Sequence, residues 1–241
     1  MNVLAEKFVT TGLLSFTEGI SLTSICSLPR VVAHGTNIMT EGTPAPDVTI
    51  ILTGVAYRYK TISDGRRQII GFQLPGDISG ICGHLVPEAT MSLAALTTCS
   101  IAQIRHADIA ELRRSSQAIG RALWLEMLRD IAIYEEWMVN LGQRNARERI
   151  AHLICEFIYR TRAGFPEDEP ILLKWPLTQT DLADATGLSV VHVYRTLNDL
   201  RTQNIIRPKP HALEILNWKR LQDIGGFNAR YLQLFRGGSE D

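Results

Sequence analysis

What the chain has little of narrows it first. Its 241 residues include four cysteines, Cys26, Cys82, Cys99 and Cys155, with no CxxC pair among them. That spacing excludes a zinc ribbon or an iron–sulfur motif and predicts four reduced thiols, with no metal and no bound cofactor. No stretch approaches the ~18 consecutive apolar residues of a membrane helix, so no membrane contact is expected. The opening residues, MNVLAEKFVTTGLLSF, lack a basic region followed by an apolar block, and the expectation is a cytoplasmic protein without a secretory signal. There is no GxSxG, no HExxH, no phosphate-binding glycine loop and no convergent acid–base pair, so no enzyme is expected. Internal repeats and low-complexity segments are also missing.

Excess charge is missing too. The chain carries 25 Lys and Arg against 25 Asp and Glu. The balance hides a small asymmetry: 11 basic and 13 acidic residues up to Gln143, then 14 and 12 from Arg144 onward. The local picture is sharper, because Arg195, Arg201, Arg207, Lys209, Lys219 and Arg220 crowd a segment whose acids are Asp199 and Glu214. Hydrophobic residues make up 45% and charged residues 21%, and the length suits two cores.

Two periods divide the chain. In the front third, short apolar runs alternate with turn signals: RVVAHGTNIMTEGTPAPD, VTIILTGVAYRYK, TISDGRRQIIGFQLPGD. Asp64-Gly65 is a strong hairpin signal, and Gly42, Gly54, Gly71 and Gly76 stand at run ends where a positive φ is often needed. This predicts an antiparallel β-roll, closed by MSLAALTTCSIAQI packing back on the first strands. Later, Ile119, Leu123, Met127, Ile131, Tyr134, Met138 and Leu141 repeat at threes and fours, flanked by Trp124, Leu128 and Trp137. A helix from Ser116 to Leu141 would run about 39 Å at 1.5 Å per residue. A small β-roll cannot cover so long a stripe, which predicts a seam with a second copy of the chain through Ile119, Leu123, Met127, Ile131, Tyr134 and Met138. A second helix, RNARERIAHLICEFIYRTRAG, follows a joint at Gln143 to Asn145. NIIRPKPHALEILNW reads as a hairpin with two prolines at its tip. The fold class is α+β.

Between these lies LTQTDLADATGLSVVHVYRTLNDLR, residues 177–201. Thr178 with Asp181 three residues on is a variant capping box, Gly187 supplies a tight turn, and Ser189 caps a second helix. Val193, Leu197 and Leu200 face the core, opposite Leu182, Ala183 and Leu188. Val191, His192, Arg195, Asp199 and Thr202 face out. This is helix-turn-helix spacing, and a β-hairpin after it fits a winged helix. Arg195 has the reach to meet the O6 and N7 of a guanine, and valine methyls pack on the thymine methyl. Val190, Val191, His192 and Arg195 are the candidate base readers, although Val190, three before Val193, also suits the core. Thr178, Thr180, Ser189 and Arg201 are candidate phosphate holders, with His192 open to that role as well.

The whole arrangement resembles the Crp/Fnr family of bacterial transcription regulators. GVAYRYKTISDGRRQIIGFQLPGD, the helix around Asn140 and Leu141 leading into RERIAHLICEF, and LTQTDLADATGLSVVHVYRTL carry the resemblance. It implies a cyclic-nucleotide-binding-like sensor roll over residues 1–111, a dimerisation helix over 112–143 and a winged helix-turn-helix over 144–241. It also implies a homodimer that binds a pseudo-palindromic DNA operator and contacts RNA polymerase. The family's recognition helix often begins Ser-Arg-Glu, with an arginine at the place of Arg195. Here Val190 and Val191 stand at the Arg and Glu positions, so the operator should differ. Cyclic-nucleotide members grip their ligand with a Gly-Glu pair and an Arg-Ser pair; Gly76-Asp77 matches the first loosely, and Ala89-Thr90 lacks the arginine. Gly76, Asp77, His84, Ala89 and Thr90 therefore mark a candidate pocket for a small-molecule effector whose identity is open. The competing expectation is a cyclic-nucleotide-responsive regulator that grips phosphate with other residues, for which ICGHLVPEATMS offers only His84. Oxygen-sensing members hold a cluster on N-terminal cysteines, and Cys26 stands alone. His34, His84 and His106 are weak candidates for haem.

Overall fold

In the computed structural model, the described residues are 1–44, 47–83, 85, 86, 88–162, 164–166 and 170–233. They pack as two units: residues 1–60 with 71–131 and Gln233 in one, residues 61–70 with 132–232 in the other.

The first unit opens on two short helices that alternation in the front third did not announce, α1 (Val3–Thr10) and α2 (Phe16–Ser24). At this length a helix shows too few periods to stand out; its local marks are its caps. Asn2 accepts from the Ala5 N–H, and Ser15 and Glu18 close a reciprocal capping box. Leu4, Phe8 and Leu22 are buried against the strands that follow. These are β1 (Arg30–Val32), β2 (Asn37–Met39), β3 (Val48–Thr53), β4 (Ala56–Thr61), β5 (Arg67–Gln73), β6 (Ile78–Ser79), β7 (Ser92–Ala95) and β8 (Cys99–Ile104), of which the end of β4 and the start of β5, within residues 61–70, group with the second unit. They form two four-stranded sheets, ordered β1-β8-β3-β6 and β2-β7-β4-β5. As expected, the last strand returns to the first: β8 pairs antiparallel with β1, Arg30 opposite Ile101. Gly42, Gly54, Gly65 and Gly76 take a positive φ. Gly71 does not; it lies inside β5, where extended backbone suits any residue.

Helix α3 (His106–Ser115) stops at Ser116, whose backbone is extended and whose hydroxyl accepts from the Ile119 N–H. That serine separates α3 from α4 (Gln117–Gln143), 27 residues and so about 40 Å long. The burial of α4 corrects the proposed seam. Ile119 and Leu123, at 1% and 2% exposure, turn into the core beside Phe8, Leu22, Ile50 and Ile104. They seat the helix on its own unit. Met127 and Tyr134 are half-buried, and the outward apolar face is Trp124, Leu128, Ile131, Met138 and Val139.

The second unit contains α5 (Ala146–Arg162), β9 (Ile171–Lys174), α6 (Gln179–Thr186), α7 (Val190–Thr202), β10 (Ile206–Lys209), β11 (Ala212–Ile215), α8 (Trp218–Gly225) and a 3-10 turn at Ala229–Leu232. Strand β9 joins the hairpin as a third strand, in the order β10-β11-β9. Its four residues after a polar loop give too short a run to read from the sequence. Pro208 is in β10 rather than at the hairpin tip; an edge strand tolerates the lost N–H. Helix α5 is buried from Ile150 to Tyr159 and packs on α8 so closely that a Cβ on Gly225 would fall 2.6 Å from the His152 nitrogen. The buried Glu156 accepts from the Trp137 indole at 3.0 Å and the Tyr231 hydroxyl at 2.9 Å, and pairs with Arg160 at 3.1 Å.

Glu136, on the C-terminal half of α4, has His152 Nε2 at 3.2 Å and Arg144 Nη2 at 2.6 Å. The histidine, more than the arginine, holds its carboxyl down to about 2 against the pull of burial. A carboxyl whose folded pKa lies below its unfolded value stabilises the fold above the unfolded value, and that contribution disappears as pH falls through the folded one. The prediction is a loss of stability between pH 4.5 and about 2 that Glu136→Gln removes. Urea unfolding across that window checks it; parallel curves for the two proteins would contradict it.

Candidate nucleic-acid interface

The second unit builds its exposed helix from local rules. At the start of α6, the Thr178 hydroxyl and backbone N–H donate to the Asp181 carboxylate at 2.6 and 2.9 Å, and the Asp181 N–H returns to Thr178 Oγ1 at 3.1 Å. Gly187 follows α6 in the left-handed region, φ +66°, where a side chain would be strained. Ser189 then caps α7, accepting from the His192 N–H at 3.2 Å. Val193 and Leu200 are buried against Leu182 and Ala183 of the same unit. Leu197 is only half-buried, and Thr196 takes the inward place beside Val193 that the apolar spacing had assigned to Leu197.

The outward face matches the expectation and extends it. Val190 is 43% exposed and Val191 60%, so Val190 belongs to the surface and not to the core. His192 and Arg195 are exposed beside them, as are Thr178, Thr180 and Ser189. Tyr194, 59% exposed, belongs to the same face and was missed. Spacing alone does not show this, because an aromatic residue beside Val193 suits the core. Clefts flank the helix. One of about 380 Å³ is bounded by Arg147, Ser189, Val191, His192, Arg195 and Asp199. A wing-side cleft of about 480 Å³ includes Thr178, Gln179, Tyr194, Asn198, Arg201, Lys209 and His211. Arg147 and His211 thus join the candidates, from α5 and the hairpin, and Lys209 of the basic cluster stands with them. Among the described residues Arg195 and Arg201 pair with no carboxylate, while Asp199 meets Arg147 at 3.4 Å and Glu214 meets Arg207 at 2.8 Å. The surface therefore presents cations, hydroxyls and apolar groups together. That suits a groove edged by phosphates and floored by base edges.

Of the residues expected to line an effector pocket, Gly76, Asp77, Ala89 and Thr90 are among the described ones. Asp77 is buried and spent: its carboxylate accepts from the Leu74 N–H at 2.8 Å and faces Arg129 at 3.3 Å and Lys7 at 3.5 Å. Lys7 and Arg129 also meet Glu126, at 2.6 and 3.2 Å. Nearby, buried Arg58 pairs with Asp130 at 2.7 Å and donates to Ile78 O and Ser79 Oγ at 2.7 and 3.2 Å. Burial pushes the Asp130 carboxyl up. Gly76, with φ +88°, packs against Lys7 and Val3. Ala89 lies in a separate core patch with Met39 and Leu93, and Thr90 is exposed. His84 lies outside the described residues. Cys26 accepts from the Asn2 amide, and burial pushes its thiol up to about 11. His34 holds the Leu96 carbonyl at 2.7 Å. Among the described residues no three His, Cys, Asp or Glu side chains gather as a metal site. No helix among them is long and apolar enough to cross a membrane.

Comparison with known proteins agrees with both halves of this description. Residues 29–116 match the family described as a cyclic nucleotide-binding domain, and residues 148–224 match the Crp-like helix-turn-helix domain. The transcriptional activator protein FnrL of Cereibacter sphaeroides is 29% identical over 202 residues, 82% of this chain and 80% of that protein. The nitrogen fixation regulation protein FixK of Bradyrhizobium diazoefficiens is 27% identical over 219 residues, 89% of this chain and 90% of its own. The structure of FixK2 from Bradyrhizobium japonicum superposes with a TM-score of 0.74 at 27% identity, covering 84% of this chain and 98% of that one. These relatives are transcription regulators and not enzymes, and with a roll of the cyclic-nucleotide-binding type, a long helix and a DNA-binding helix-turn-helix in one order, this chain belongs to the Crp/Fnr family of transcription regulators.

Proposed function

We propose that the protein is a cytoplasmic homodimer that binds a pseudo-palindromic operator and contacts RNA polymerase. In this reading residues 1–111 form the sensor-like part, 112–143 the dimerisation helix and 144–241 the DNA-binding part. The observation that carries it is the face of α7: Val191, Tyr194 and Arg195 exposed side by side, with no acid on the arginine among the described residues. Relatives named as transcriptional activators, FnrL among them, support contact with the polymerase.

The outward face of α4 supports the dimer. Trp124, Leu128, Ile131, Glu135, Met138 and Gly142 advance by four and three in turn, the spacing of a coiled-coil seam. Ile131 and Met138 stay in the seam, Met127 and Tyr134 flank it, and Ile119 and Leu123 leave it. Replacing Leu128 and Ile131 with Glu would put unpaired charges there at a cost of several kcal/mol. Sedimentation should show the double variant as a folded monomer; a tight dimer would reject the seam.

Lys7, Arg58 and Arg129, which stand beside Asp77, Ile78 and Ser79, each already meet a carboxylate. Cyclic AMP should therefore give no heat of binding at micromolar concentrations in titration calorimetry. Micromolar affinity would favour the competing reading, a cyclic-nucleotide-responsive regulator with a rebuilt phosphate grip.

On DNA, Arg195 specifies a guanine and Val191 a neighbouring thymine. Arg195→Ala should cost about 1–3 kcal/mol on the selected operator and much less on random duplex. Val191→Ala should cost less, since only methyl packing is lost. Ser189→Ala should weaken all sequences alike, because a phosphate contact holds no base information. Selection from random duplexes, then binding of single-base variants at one salt concentration, makes the measurement. Equal losses on cognate and random DNA for Arg195→Ala would make this arginine a phosphate clamp.

A further inference from the structure

Helix α6 holds two carboxylates, the buried Asp181 and the half-buried Asp184, beside a surface that in the proposed function meets a polyanion. Asp181 is within one turn of the exposed Thr178 and Thr180. Between Ile171 and Arg220 the chain has four acids: Asp181, Asp184, Asp199 and Glu214. Asp199 and Glu214 find their cations on elements from α5 onward, Arg147 on α5 and Arg207 and Lys209 on β10. Asp181 and Asp184 do not. Their cation is Arg67, on the β4–β5 hairpin, 114 residues before Asp181.

The geometry is specific. Arg67 Nε donates to Asp184 Oδ2 at 2.8 Å, and Nη2 reaches the same carboxylate at 2.7 Å and Asp181 Oδ1 at 3.2 Å. This forked grip is one an arginine makes and a lysine does not. Its neighbour Gln68 donates to the Asp184 carbonyl at 2.7 Å, one of the last-turn carbonyls of α6 that lack a partner inside the helix. Hairpin residues 61–70 pack with the second unit, so the contact lies inside the unit that carries α7.

We propose that Arg67 is a charge-compensating residue of the DNA interface. It touches no base; it cancels the acid pair on α6 and so allows Thr178 and Thr180 to approach phosphates. Without it, two carboxylates on α6 would face the phosphate backbone uncompensated, and the repulsion would be strongest where screening is weakest. The inference rests on the reading that α6 and α7 meet DNA.

The test compares wild type, Arg67→Gln, Asp184→Asn and the double variant on the selected operator and on random duplex across a salt series. Arg67→Gln should weaken both DNAs alike, by about tenfold at about 50 mM salt, with the gap closing as salt rises. Asp184→Asn alone should bind as well as wild type or better, and in the Arg67→Gln background it should restore most of the loss. That rescue would not follow from a merely structural role. A gap that persists at high salt, a double variant as weak as Arg67→Gln, or unchanged or tighter binding by Arg67→Gln would each overturn the proposal. Should Arg67→Gln fail to fold, Asp184→Asn still decides: weaker binding at low salt overturns compensation. Arg195→Ala is the control. If wild-type protein selects no operator, the underlying reading fails; if wild type selects one and Arg195→Ala loses it while Arg67→Gln has no effect, only this inference fails.

Discussion

A carboxylate taken out of water without a partner costs several kcal/mol, and helix α4 holds three such groups against the protein: Glu126, Asp130 and Glu136. Each finds its cation on another element or further along its own helix. Glu126 meets Lys7 of α1 and Arg129, Asp130 meets Arg58 of β4, and Glu136 meets Arg144 and His152. Turning the helix by one residue, about 100°, would break the pairs with Lys7, Arg58 and His152 together. The pairs therefore fix which side of α4 faces in, and with it which side is left to water. Trp124, Leu128, Ile131 and Met138 are outside because Glu126, Asp130, Ile119 and Leu123 are inside.

The same network bears on ligand sensing. A pocket for a phosphate needs a cation whose charge is still available. Lys7, Arg58 and Arg129 stand near α4, and each is committed to a carboxylate of the chain itself.

The parts that could be read from the sequence are those specified by short-range rules. The capping box at Thr178, the turn at Gly187 and the cap at Ser189 each involve residues three or fewer apart, and each stands where the spacing placed it. The return of the last roll strand to the first followed from the need to close a sheet edge. The errors arose where long-range packing decides. Apolar periodicity on α4 is nearly all round, so the pattern could not tell the stripe that seats on the roll, with Ile119 and Leu123, from the stripe left over. Asp77 resembled half of a ligand grip and is instead held by Lys7 and Arg129, residues 70 before it and 52 after it. Tyr194 differs again: an aromatic residue beside Val193 suits the core by spacing, and only the folded unit shows it 59% exposed.

A protein with no net charge can still bind a polyanion, because phosphates respond to local charge and not to the total. Affinity for a duplex rises with the number of cations that replace counterions, and each nearby carboxylate works against it. All four acids between Ile171 and Arg220 are engaged, by Arg67, Arg147, Arg207 and Lys209. Among the described residues Arg195 and Arg201 have no acid to answer to. Pairing the acids with one set of cations leaves Arg195 and Arg201 unopposed on α7 among the described residues. The neutral sum over 241 residues thus conceals a face that is positive where α7 is exposed. Replacing an acid there and replacing its partner cation should shift DNA affinity in opposite directions, which a count of total charge would not distinguish.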